Sequence, residues 1–211
     1  MVQQPSSRSA AACGAVFALG LFLAAGDGGY STARAVIATT ALTLAIPFLC
    51  YLGRILRGAE GAPNWVVDAA VASGITGIVL KLASGVPEVA QHQAHLGSGS
   101  EAQEALAGLA AASTVASLIP LALFCGATGA LILRTKVLPS WVGVGAVVTA
   151  AALAVNGCVI GASFVPAVLI FLLWTLLTSL HLLRASWRRR STSPRPRAGA
   201  QTGPAAPSPG R

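Results

Sequence analysis

The chain has 211 residues, of which 55% are hydrophobic and 9% charged, and its mean hydropathy is +0.73. A water-soluble domain carries about 25% charged residues, so these values exclude an ordinary soluble globular protein, and the apolar content excludes a disordered chain. The net charge of +8 would suggest nucleic acid in a soluble protein. Here Arg188, Arg189, Arg190, Arg195 and Arg197 follow the last apolar segment. They read as a topology signal and a contact for anionic lipid head groups, with no nucleic-acid partner.

A membrane-spanning helix needs about 20 mostly apolar residues. Six segments qualify, over about 10–25, 35–52, 65–83, 105–133, 141–160 and 166–183. None alternates at period two for the length of a barrel strand, so backbone polar groups in lipid must be satisfied within helices. The expected fold class is therefore all-α, a six-helix transmembrane bundle spanning 10–184. Residues 1–9 form a short cytoplasmic N-terminus and 185–211 a disordered, basic cytoplasmic tail rich in Pro, Gly, Ser and Ala.

In chain order, Gly26-Asp27-Gly28-Gly29 closes the first span, which we read as a retained helix because Leu23 and Ala25 make a poor signal-peptidase site. Gly53 to Asn64 joins the second and third. The third carries Asp68 one turn in from Trp65, and Lys81 near its far end, about 20 Å away along the axis. Asp68 is either a proton or cation site or an interfacial carboxylate paired with Arg54, Arg57 or Arg134. Lys81 is expected to snorkel to the outer surface. The next loop holds Glu88, His92 and His95, spaced to share one helical face, which makes a weak zinc-type set. The reading preferred for this stretch is a solvated polar loop.

Pro120 predicts a kink in the fourth span. Pro139 ends it and Ser140 is placed as the N-cap of the fifth. Asn156-Gly157 marks either a helix break at a binding site or an early turn. Ser163 and Pro166 start the sixth span, in which His181 is a satisfied interfacial histidine. Gly74 with Gly77, Gly126 with Gly129, and Ala146 with Ala150 are helix-packing pairs. Cys13, Cys50, Cys125 and Cys158 form no C-x-x-C pair and read as small buried hydrophobes.

With the N-terminus inside, twelve Lys/Arg fall on inner segments and only Arg34 and Lys81 on outer ones, so both termini are placed in the cytoplasm. Tyr51, Trp65, Trp141 and Trp187 fall at the same predicted ends, as an interfacial belt should. Arginine outnumbers lysine twelve to two, the bias of a GC-rich, bacterial genome.

The runs Leu118-Ile119-Pro120-Leu121-Ala122-Leu123-Phe124 and Leu133-Arg134-Thr135-Lys136-Val137-Leu138-Pro139-Ser140-Trp141-Val142-Gly143 resemble a group of uncharacterised, largely actinobacterial integral membrane proteins. That resemblance implies a six-helix-type bundle and no catalytic residues.

The sequence therefore assigns no catalytic, cofactor-binding or metal residues and no cofactor. It predicts a multi-pass protein of the inner (plasma) membrane with a non-catalytic, structural or regulatory role, and leaves homo-oligomerisation open. The alternatives are a small proton- or cation-coupled transporter using Asp68 and a metal-dependent membrane enzyme using Glu88, His92 and His95.

Overall fold

The computed structural model describes residues 6–24, 31–93, 100–160 and 165–191. These residues form seven α-helices: α1 (Ser6–Ala24), α2 (Thr32–Arg57), α3 (Asn64–Ser84), α4 (Val86–Gln93), α5 (Glu101–Thr135), α6 (Ser140–Val155) and α7 (Val165–Ser191). A π-helical turn (Asn156–Ile160) continues α6. No strand occurs among the described residues. Five helices are long and apolar enough to cross a membrane, and the apolar stretch of α1 (Arg8–Ala24) is shorter. The six predicted spans correspond to α1, α2, α3, α5, α6 and α7, and α4 is the unpredicted element.

Each long helix packs on the one before it in the chain, and α7 returns to pack on α1. The result is a closed ring in the order α1, α2, α3, α5, α6, α7. Alternating helices run in opposite directions, as short connections demand. In lipid no hydrophobic force drives these contacts, so close packing must supply the cohesion. Small residues provide it. Gly74 of α3 lies where a Cβ would sit 3.1 Å from Leu49 of α2 and from Phe124 of α5. A Cβ at Gly77 would meet Leu121 Cγ at 2.6 Å, and one at Gly129 would meet the Gly143 carbonyl oxygen at 2.9 Å. Gly126 faces Ala150 in ordinary contact, and Ala146 is fully buried.

Aromatic side chains fill the centre of the ring. Phe17 meets Phe171 edge-on with centroids 6.1 Å apart, Phe171 tilts against Trp174 at 6.4 Å, and Trp174 meets Phe124 edge-on at 6.4 Å. Trp174 Nε1 donates to the Val142 carbonyl at 3.0 Å, which satisfies the indole and ties α7 to α6. Gly14 of α1 has no room for a side chain: a Cβ would collide with Ser179 Oγ and with the Phe48 ring.

Helix ends differ from the sequence expectation in several places. Hydrogen-bonded helix runs beyond the apolar cores, because water at the interface tolerates polar helical residues; α2 reaches Arg57 and α7 reaches Ser191. The predicted tail from 185 is thus helical through Ser191, while 192–211 lie outside the described residues. The N-cap of α6 is Pro139, and Ser140 is the first helical residue with no capping side chain. The preceding helix ends at Lys136 in the left-handed region (φ 53°), whose N–H donates to the Ile132 carbonyl at 2.8 Å. At Asn156-Gly157 the α-helix gives way to the π turn. α5 continues through Pro120 as one helix. The Gly26–Gly29 segment and Ser163 lie outside the described residues.

At about 1.5 Å per residue the 35 residues of α5 span about 52 Å, well beyond a hydrocarbon core of about 30 Å. The surplus lies at its N-terminal end, where α4 packs against it. Ser100 caps this end by accepting a hydrogen bond from Gln103 N, and Glu101 and Glu104 sit favourably at the positive end of the helix dipole.

Candidate functional site

The alternating ring gathers the starts of α1, α3 and α6 and the ends of α2, α5 and α7 at one end of the bundle. That end carries Arg8, Arg54, Arg57, Arg134, Lys136 and Arg184, against Glu60 and Asp68. Trp65, Trp141 and Trp187 rim it, each more than a third exposed. The opposite end carries Arg34 and Lys81 against Glu88, Glu101 and Glu104. Charge and indoles thus mark one end as distinct from the other.

Asp68 sits at this basic end. Arg57 Nε donates to Asp68 Oδ1 at 2.9 Å, and Arg57 Nη2 donates to the same oxygen. Both side chains are about half exposed. The carboxylate therefore belongs to an ion pair linking the end of α2 to the start of α3, and it does not point into the ring. The sequence pattern admitted this pairing as one of two readings for Asp68.

The cysteines are a correction: Cys125 is buried, but Cys13 is half-buried and Cys50 and Cys158 are exposed. Lys81 is half-buried, and its Nζ donates to Thr114 Oγ1 of α5 at 3.1 Å. Ser84 Oγ and Ser117 Oγ donate back within their own helices, to the Lys81 carbonyl at 2.7 Å and the Thr114 carbonyl at 2.6 Å, so the link between α3 and α5 here is the Lys81 bond to Thr114. His181 lies edge-on to Trp141, with centroids 5.7 Å apart, at the boundary where α6 begins.

Glu88 and His92 fall on α4, one helical turn apart. The stretch predicted as a solvated loop is thus partly helical. His95 lies outside the described residues. No group of three His, Cys, Asp or Glu placed to hold a metal occurs among the described residues.

Two features had no signal in the sequence. Arg8 lies over the Trp187 ring at 5.0 Å, and its Nη2 donates to the Ser186 carbonyl at 3.2 Å. This contact closes the ring between residues nearly the whole chain apart. The hydroxyls of Thr128, Thr178 and Ser179 are fully buried without hydrogen-bond partners, whereas Thr149 and Thr175 bond back to the carbonyls of Gly145 and Phe171. Thr178 lies one turn beyond Trp174, and Thr128 one turn beyond Phe124, on the basic side of the aromatic plug. No charged side chain is buried among the described residues.

Fold and charge layout together define a multi-pass membrane protein built as a ring of six helices. Compared with protein-family models, with curated proteins and with solved structures, the chain matches none.

Proposed function

We propose that this is a non-catalytic protein of a bacterial plasma membrane, structural or regulatory, with its basic end in the cytoplasm. The observation that carries the reading is the ring interior: aromatic rings plug it, and no described charged side chain is buried in it. Proton-relay and ion-coupled transport call for ionisable groups facing a central path, and Asp68 is instead engaged by Arg57 at the rim. The cytoplasmic placement rests on the positive-inside bias of that end, and anionic lipid head groups are the partner its charge suits. The resemblance read in the sequence to uncharacterised actinobacterial membrane proteins supplies no activity to this proposal.

The test is flux. Protein reconstituted into liposomes loaded with a pH-sensitive dye is expected to dissipate a proton gradient no faster than empty liposomes, and Asp68→Asn to change nothing. A gradient collapse that wild type produces and Asp68→Asn abolishes contradicts the proposal. A second reading, a small transporter for a polar solute, draws on the unpartnered hydroxyls of Thr128, Thr178 and Ser179. Uptake abolished by Thr128→Val or Thr178→Val would favour it.

A further inference from the structure

Packing fixes the depth of three arginines. Gly14 meets Phe48 of α2 and Ser179 of α7, so counting away from that level along antiparallel neighbours sets Arg8 opposite Arg54 and close to Arg184 and Ser186. The Arg8 to Ser186 hydrogen bond agrees with this register. Arg184 and Trp187 are three residues apart on α7 and so neighbour each other on its surface. Arg8 covers the Trp187 ring, and Trp187 is 68% exposed. One exposed indole is thus covered by the Arg8 guanidinium, with Arg184 a turn before it on the same helix, at the rim of a membrane-spanning ring.

The Ser186 carbonyl uses one of Arg8's five N–H donors. The clasp fixes the guanidinium plane while leaving donors for a planar fork around phosphate oxygens. Arg184 is exposed and brings a second fork from the adjoining helix. An indole at this depth prefers the head-group layer, with its ring against glycerol and upper acyl chain. No carboxylate among the described residues lies on α1 or α7 to compete.

We infer that Arg8, Arg184 and Trp187 form a seat for the phosphate of an anionic phospholipid, in the leaflet facing the basic end, and that the bound lipid fastens α1 to α7. This deepens the lipid contact proposed above and rests on it, but does not depend on the absence of transport. A guanidinium near an anionic surface contributes about fivefold to lipid affinity.

The test uses full-length protein in neutral detergent micelles at fixed ionic strength. Its thermal unfolding midpoint is followed as phosphatidylglycerol, phosphatidylcholine or inorganic phosphate is added. Phosphatidylglycerol is expected to raise the midpoint, and the other two to leave it unchanged. Arg184→Gln should require about fivefold more phosphatidylglycerol, and Arg8→Gln/Arg184→Gln about 25-fold more. Arg34→Gln, at the opposite end, should respond as wild type does. Equal stabilisation by phosphatidylcholine, equal stabilisation by inorganic phosphate, or an undiminished response in the arginine variants overturns the site. Among the described residues Arg184 makes no hydrogen bond or ion pair, so its single variant decides the matter should the Arg8 variant not fold. Because the readout needs no vesicle and no flux, a failure here is separate from a failure of the non-catalytic reading.

Discussion

Gly14 shows how little tolerance single positions in this ring have. Its α-hydrogens face Ser179 Oγ and the Phe48 ring with no room between. Gly14→Val should therefore force α1 away from α2 and α7 and destabilise by about 1–3 kcal/mol, read from unfolding in detergent. Trp174 tests the plug by a different route. Trp174→Phe keeps a ring against Phe124 and Phe171 but removes the indole N–H that meets the Val142 carbonyl. The expected loss is about 1–2 kcal/mol, the cost of a buried hydrogen bond plus a small void. Asp68→Asn should cost under about 1 kcal/mol, because an ion pair half exposed to water is screened. A much larger loss would mean that the carboxylate has a role beyond joining α2 to α3.

At the scale of elements, α5 and α6 form the seam that small residues permit. Gly129 abuts the Gly143 carbonyl, Val147 and Ala146, whereas Gly108 on the same helix has open space around it. Gly129→Val is predicted to destabilise by about 1–3 kcal/mol through overpacking. Gly108→Val should be neutral or slightly stabilising, since valine has the higher helix propensity. Comparable losses at the two sites in a chemical unfolding series would contradict the seam. The elements themselves were largely legible in the sequence. Apolar runs near twenty residues have one solution in hydrocarbon, so the six segments became six helices, five of them long and apolar enough to cross a membrane. Their ends were less legible, because hydropathy reports where lipid stops and not where hydrogen bonding stops. That is why Ala185–Ser191, basic and polar, reads as tail and yet continues α7. The short helix α4 was hidden in the same way, behind polar residues that form helix at a surface as readily as they form loop.

Across the whole molecule, the pattern of charge was readable and the pattern of contact was not. Positions of arginine and tryptophan along the chain placed them at one end of the bundle, since alternating spans leave no other arrangement. The ring closure was invisible: Arg8 and Trp187 are joined only because α7 packs back on α1. The buried hydroxyls were equally hidden, because a Thr facing lipid and a Thr facing a neighbour look alike in a run of apolar residues. The bond from Lys81 to Thr114 was hidden for a related reason: the partner lies across the α3–α5 interface and is visible only once the two helices pack. Candidate sites read from isolated charged residues were therefore weaker guides than the packing that surrounds them.

We propose a six-helix ring threaded with its arginine-rich end in the cytoplasm. Substituted-cysteine labelling tests it most directly. In a variant lacking Cys13, Cys50, Cys125 and Cys158, single cysteines are placed at Glu101, at the far end, and at Ser193, beyond α7. Treated with a membrane-impermeant maleimide, intact cells should label Glu101→Cys at once and Ser193→Cys only after permeabilisation. Labelling of Ser193→Cys in sealed cells, with Glu101→Cys protected, would contradict the account.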